Sequence, residues 1–237
     1  MRKSETKSYL RKTENYYGLN TFWTAEQTTL NGIPIFKPSD FIPKSVFQYR
    51  SSTISVFKKR MLPDCACHFF TDDYRFVSVW NRPKQSIKLL HEFSAVFSPD
   101  FTLSFDFPDV VNKWNHYRKM WVSAWWRSQG LDVIPVANWL DERSYSWCFE
   151  GMPLNSVIGL SAHEIYEPYE ISLFLNGFKE MERILRPKLI VMIGGKRQLS
   201  VLEKNTYCPI LYFAPRIKVS RKSRQVKTKI LEDISFI

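Results

Sequence analysis

The chain of 237 residues is long enough to bury a sizeable core, and its composition of 44% hydrophobic and 16% aromatic residues excludes a largely disordered protein. No stretch approaches the roughly 20 consecutive apolar residues of a membrane span, and the basic start Met1–Lys7 lacks the apolar region of a secretory signal, so a cytoplasmic protein without a membrane partner is expected. The net charge of +11 is unevenly spread: residues 1–60 carry 11 Lys or Arg against 4 acids, residues 61–215 carry 16 against 17, and residues 216–237 carry 7 against 2.

A near-neutral body between two basic segments is the footprint of a polyanion binder, which makes DNA or RNA the expected partner; solubility is the bland alternative. The division follows the charge: a basic N-terminal arm and wrapping segment over 1–60, an α/β domain over 61–215 and a basic C-terminal tail over 216–237. The four cysteines, Cys65, Cys67, Cys148 and Cys208, fit neither a zinc spacing nor a disulfide framework and read as buried thiols.

Residues 1–20 read as an arm or one short helix, and Asn31-Gly32-Ile33-Pro34 as a turn into a Pro-punctuated segment that wraps the body. Phe47–Arg50 and Ile54–Phe57 read as edge strands. Regular alternation begins at Ala66–Phe70, a short apolar run that turns polar at Thr71-Asp72-Asp73. A helical pattern through Phe76, Val79 and Trp80 breaks at Arg82-Pro83 and resumes through Ile87, Leu90 and Phe93.

The clearest unit runs from Ala95 to Trp139. Ala95–Asp100 is a strand with a polar end. A helix is expected to open at Asp106–Asp109, with Asp106 as cap, Pro108 tolerated in the first turn and Asp109 favourable at the positive helix end. Val110, Trp114, Tyr117, Trp121 and Trp125 recur at spacings of three and four, so they predict one buried face against a sheet; Gly130 is the expected stop. This leaves Trp126 and Trp139 freer to be functional. Asp132–Trp139 then reads as a strand buried on both faces, and such a crossover makes the two strands parallel.

Leu140–Tyr145 reads as a loop or short helix. Val157–Ser161 predicts a strand, and Ile171, Phe174, Phe178, Met181 and Leu185 a helix face ended by Arg186-Pro187. Leu189–Ile193 and Ile210–Phe213 complete the strands. The alternation predicts an α/β fold with a parallel sheet covered by helices. A barrel-like arrangement, a complete or incomplete TIM-type barrel, is preferred to an open sheet, because no Gly-x-Gly-x-x-Gly fingerprint follows the first strand.

In either architecture chemistry belongs at the carboxyl ends of the strands. The candidate catalytic residues are Asp72, Asp73, Asp100 and His163. Carboxylates converging on one rim could hold Mg²⁺ or Mn²⁺ through Asp72, Asp73 and Asp100, or share acid and base roles; equally, each Asp could merely cap the next helix. Candidate substrate-binding residues are Ser98, Asn138 and Trp139, with Gly194, Gly195 and Lys196 as a phosphate-cradling turn. No serine or cysteine nucleophile motif is found.

His68-Phe69-Phe70-Thr71-Asp72-Asp73, Val79-Trp80-Asn81-Arg82-Pro83, Ser98-Pro99-Asp100-Phe101-Thr102 and the run from Gly130 through Val133–Trp139 together resemble the domain of unknown function 4417 family of bacteria, phages and mobile elements, over about residues 30–195. The resemblance implies that Asp72, Asp73, Pro99, Asp100, Pro135 and Trp139 belong to a shared signature. It departs at Thr102, where the family has Ser, and at Ala137, where it has a hydroxyl residue. The family name implies no activity. Three readings follow: a mobile-element accessory protein that associates with nucleic acid through its basic arms; a metal-dependent or acid/base enzyme for a small or phosphorylated substrate; and an interaction module that blocks a host or phage factor through an exposed aromatic patch.

Overall fold

In a computed structural model the described residues are 19–49, 64–162 and 167–215. The predicted strand at Ile54–Phe57, the terminal basic segments and His163 lie outside them.

The strands are β1 (Ser45–Gln48), β2 (Cys65–His68), β3 (Ala95–Phe97), β4 (Val133–Ile134), β5 (Val136–Ala137), β6 (Val157–Ala162), β7 (Leu189–Gly194) and β8 (Ile210–Phe213). They form two four-stranded sheets in sequence order, β1-β2-β3-β4 and β5-β6-β7-β8, with every pairing parallel. Because β1 pairs with β2 from Ser45 opposite Cys65 onward, the sheet starts before residue 60, where charge alone drew a boundary.

Pro135 explains the split between sheets. The run 132–137 is one extended segment whose first half bonds to β3, through Val96 N–H to Asp132 and Ser98 N–H to Ile134. Proline has no N–H to extend a ladder, but its carbonyl accepts from Gly159 N–H at 2.8 Å and so hands the segment to β6.

Every strand sends a side chain into one inner cluster: Val46, Ala66, Phe97, Ile134, Val136, Val157, Val191 and Phe213. Alternate residues point the other way, toward the helices. The two sheets therefore share one interior cluster, and β8 does not pair with β1 among the described residues. Gly159 is needed there, since a Cβ would come within 2.5 Å of the Phe97 ring.

Six α-helices are described: α1 (Ser78–Asn81), α2 (Pro83–Leu90), α3 (Asp109–Ser128), α4 (Tyr145–Cys148), α5 (Pro168–Leu185) and α6 (Lys196–Glu203). α1 and α2 divide at Arg82-Pro83 as the pattern predicted, and α5 ends at Arg186 in the left-handed region (φ 51°), just before Pro187. None of the described helices is long and apolar enough to cross a membrane.

The 20-residue α3 departs from expectation in three ways. Its N-cap position is Pro108, and Asp106 makes no capping hydrogen bond; its backbone N–H instead bonds to the Ser104 hydroxyl. The aromatic stripe does not face the sheet. Trp121 meets Trp80 of α1 and both Phe22 and Trp23 of the N-terminal segment edge-on, at centroid distances near 5.5 Å. Trp114 and Tyr117 also contact Trp80 and remain partly exposed, and Val110 is 71% exposed among the described residues.

The face turned to the strands instead carries Asn112, Asn115, Lys119, Val122, Ser123 and Trp126, all buried. Trp126, expected to be free for function, is fully buried and stacked on Phe69 at 5.4 Å. The sequence predicts a single buried stripe, the tryptophans, against the sheet; α3 carries a second buried, polar stripe that takes the sheet side, while an aromatic layer from residues 22–23 and 80 covers the tryptophans.

The aromatic layer yields a graded stability prediction. Trp121→Ala, at 3% exposure, should cost about 3–5 kcal/mol, whereas Val110→Ala should stay within about 0.5 kcal/mol. Urea denaturation of both variants checks the order.

Candidate functional site

The carboxyl ends of β2, β3 and β5 are adjacent, and α3 brings its polar stripe against them. Lys119, on the middle of α3, is 1% exposed. Its Nζ donates to the Val136 carbonyl at 3.1 Å and to Asn138 Oδ1 at 2.6 Å. The Asn138 amide then donates to Asp100 Oδ1 at 2.9 Å and to the Phe101 carbonyl at 3.2 Å. Chemistry fixes the orientation of that amide: an ammonium can only donate and a carboxylate can only accept, so the oxygen must face Lys119 and the nitrogen Asp100.

A second set of bonds secures the loop between β3 and α3. Asp73 accepts from the Thr102 hydroxyl at 2.8 Å and from the Thr102 N–H at 3.2 Å. Asn115 donates to the Thr102 carbonyl at 2.6 Å and accepts from Arg118 Nη2 at 2.5 Å. Arg118 lies over the Phe101 ring, 4.1 Å from its centroid, and its Nε is buried without a hydrogen-bond partner among the described residues. Asn112 accepts from Ser104 N–H and donates to the Ser104 carbonyl, closing the turn that presents Phe105 and Phe107 to solvent.

Burial pushes the Asp100 carboxyl up to about 6, with Lys119 opposing the rise and Asp73 adding to it. Burial also pulls the Lys119 amine down to about 8, against the attraction of Asp100. The two groups thus titrate either side of neutrality. Beneath them His116 is held down to about 3, chiefly by burial and then by Lys119, while its Nε2 lies 2.9 Å from the Glu150 carbonyl. Burial pushes the Cys148 thiol up to about 12, so it is inert as a nucleophile at neutral pH.

Of the predicted residues, Asp73, Asp100 and Asn138 come together. Asp72 does not join them: it pairs with exposed Arg75 at 2.8 Å, which lowers its carboxyl below the ordinary value. Among the described residues no group of three His, Cys, Asp or Glu side chains is arranged to hold a metal ion. Each of these two carboxylates has a protein cation beside it, Lys119 near Asp100 and Arg118 near Asp73.

Ser98 is buried and shares a 2.8 Å hydrogen bond with Ser123 of α3. Trp139 stacks on Phe174 at 5.4 Å and covers Gly177, where a Cβ would come within about 2 Å of the indole; it seats α5 beside the end of β5. Gly194 lies against the Ala162 carbonyl, so close packing already accounts for it; the end of the Gln198 side chain lies beside Gly195, and Lys196 is exposed. Among the described residues, surface depressions lie between α5 and α6 at Phe174 and Val201 and, about 550 Å³ in volume, between α4 and α5 at Tyr145 and Glu180.

Sequence reasoning missed Asn115, Arg118 and Lys119. The available signal was a polar series, Asn112, Asn115, Lys119 and Ser123, at helical spacing beside the tryptophans.

The model of the family described as Domain of unknown function (DUF4417) matches residues 25–212. The chain belongs to this family. It is 31% identical over 180 residues to the Gene 1 protein of Mycobacterium phage L5, an alignment covering 76% of this chain and 78% of that protein. It is 30% identical to the Gene 1 protein of Mycobacterium phage D29, covering 76% and 66% respectively. No solved structure matches.

The bridge predicts a measurable cost. Asn138→Ala strands the Lys119 amine and the Asp100 carboxylate together, and should destabilise the fold by about 1–3 kcal/mol in urea denaturation at neutral pH.

Proposed function

We propose that this family member is a nucleic-acid-associated accessory protein of phages and related mobile elements, which holds the polyanionic backbone with its basic ends. The observation that carries the reading is the segregation of charge: +7 over residues 1–60 and +5 over 216–237, around a body of −1. Such cations displace condensed counterions from the nucleic acid, so each phosphate contact contributes about −0.9 to the slope of log affinity against log salt on duplex DNA. The phage relatives fit this setting, although their name specifies no activity.

Replacing the Lys and Arg residues of 216–229 and of 1–15 by Gln in the full chain should flatten that slope. Anisotropy titrations of labelled DNA and RNA across a salt series measure it. An unchanged slope, or no binding at low salt, contradicts the proposal.

One observation favours a second reading, an acid/base enzyme acting at the strand ends. Asp100 is partly exposed and its carboxyl is raised to about 6, and Asn138 and Lys119 hold it in a fixed orientation. In this reading Asp100 exchanges the proton while Lys119 and Asn138 position it. Arg118 and Lys119 already balance the acidic charge that Mg²⁺ or Mn²⁺ was expected to neutralise, so a cation would have to compete with them.

A further inference from the structure

The aromatic stripe of α3 is covered over its later turns by the N-terminal segment. Phe22 lies edge-on to both Trp121 and Trp125, Trp23 lies edge-on to Trp121, and the Asn20 side-chain amide donates to the Trp80 carbonyl at 2.8 Å. Trp80 also meets Trp114 and Tyr117, which stack on one another 5.4 Å apart and are only partly buried among the described residues. Asn20 is thus anchored at the residue that joins the covered part of the stripe to the open part. One turn further toward the start of α3 lie Phe107, 38% exposed, and the exposed carboxylates Asp106 and Asp109, of which Asp109 also acts on Arg143.

The chemistry of residues 1–18 matches this surface in order. Tyr16 and Tyr17 come just before the anchored Asn20, and further back Arg2, Lys3, Lys7, Arg11 and Lys12 stand against only Glu5 and Glu14. We propose that the open end of the α3 stripe is the docking surface for this chain's own N-terminal arm, with Tyr16 and Tyr17 on the Trp114–Tyr117 pair and the cations of the arm toward Asp106 and Asp109. It continues an interface that residues 20–23 already make. An extended chain spans about 3.3 Å per residue, so Tyr17 reaches roughly 10 Å from Asn20 and Arg11 roughly 30 Å. The turn from Trp114 back to Asp109 adds only about 7.5 Å along the helix axis. Tyrosine suits the contact, since its ring can cover apolar surface while its hydroxyl stays in water. Nucleic acid is a poor occupant of the same patch, because Asp106 and Asp109 repel its phosphates.

The cations of the arm are among those read above as holding nucleic acid, so a docked arm withholds them from a polyanion. That consequence rests on the proposed function; the docking does not.

Photocrosslinking of the full chain without nucleic acid tests the docking by itself. Tyr17→p-benzoylphenylalanine should give intramolecular crosslinks, read by mass spectrometry, to the peptide that carries Trp114 and Tyr117. The same probe at exposed Tyr207, between α6 and β8, should give none there. Asp106→Asn combined with Asp109→Asn should lower the Tyr17 yield by about threefold, because attractions between exposed charges are weak. Crosslinked dimers in place of intramolecular products, crosslinks confined to other peptides, or a yield at Tyr17 no higher than at Tyr207 would overturn the inference. An unchanged yield in the Asn pair would overturn the placement of the cations.

Discussion

The burial of Lys119 is the constraint around which this molecule is arranged. An ammonium cannot enter a helix-to-sheet interface without partners, and the chain supplies them in a fixed order: the Val136 carbonyl, the Asn138 amide and, through it, the Asp100 carboxylate. These partners come from β5, the turn after it and the turn after β3. One side chain thereby ties the middle of α3 to both sheets, at the segment that Pro135 divides between them. A hydrophobic residue at this position would pack at lower desolvation cost. The polar choice links fold and rim: the helix that roofs the strands also sets the charge state of their ends.

Around this polar seam the aromatic residues act as cladding. Trp121 and Trp125 stack on one another 6.0 Å apart and are closed over by Phe22, with Trp23 and Trp80 also on Trp121, so the N-terminal segment is part of the core's outer layer. On the sheet side Trp126 and Phe69 seal the same helix. The polar stripe lies between these apolar contacts, shielded from bulk water, and that shielding is what displaces the Lys119 titration.

Much of the fold was legible because local signals agreed with tertiary ones. Arg82-Pro83 divides two helices, Arg186-Pro187 ends another, and short apolar runs ending in polar residues are parallel strands. Asp100 and Asn138 were legible as rim residues because strand ends are defined by where hydrophobicity stops. The face of α3 was not, since both of its stripes are buried and hydrophobicity alone chose the tryptophans. Asp72 and Asp73 are neighbours in sequence, but adjacent residues point apart: one pairs with Arg75, the other holds Thr102. Gly194 and Gly195 read as a phosphate turn, whereas Gly194 ends β7 packed against the Ala162 carbonyl, which leaves no room for a Cβ.

Lys119 of α3 and Asp100 after β3 are linked through the Asn138 amide, and energetic coupling across it is the central requirement of this arrangement. A double-mutant cycle on Lys119→Met and Asp100→Asn, followed by urea denaturation at neutral pH, measures that coupling directly. The double variant should be more stable than the sum of the single changes allows, by about 1 kcal/mol or more, because residues in one hydrogen-bonded network are not additive. Strict additivity of the two substitutions would show that Lys119 and Asp100 do not sense each other, and would contradict the arrangement described above.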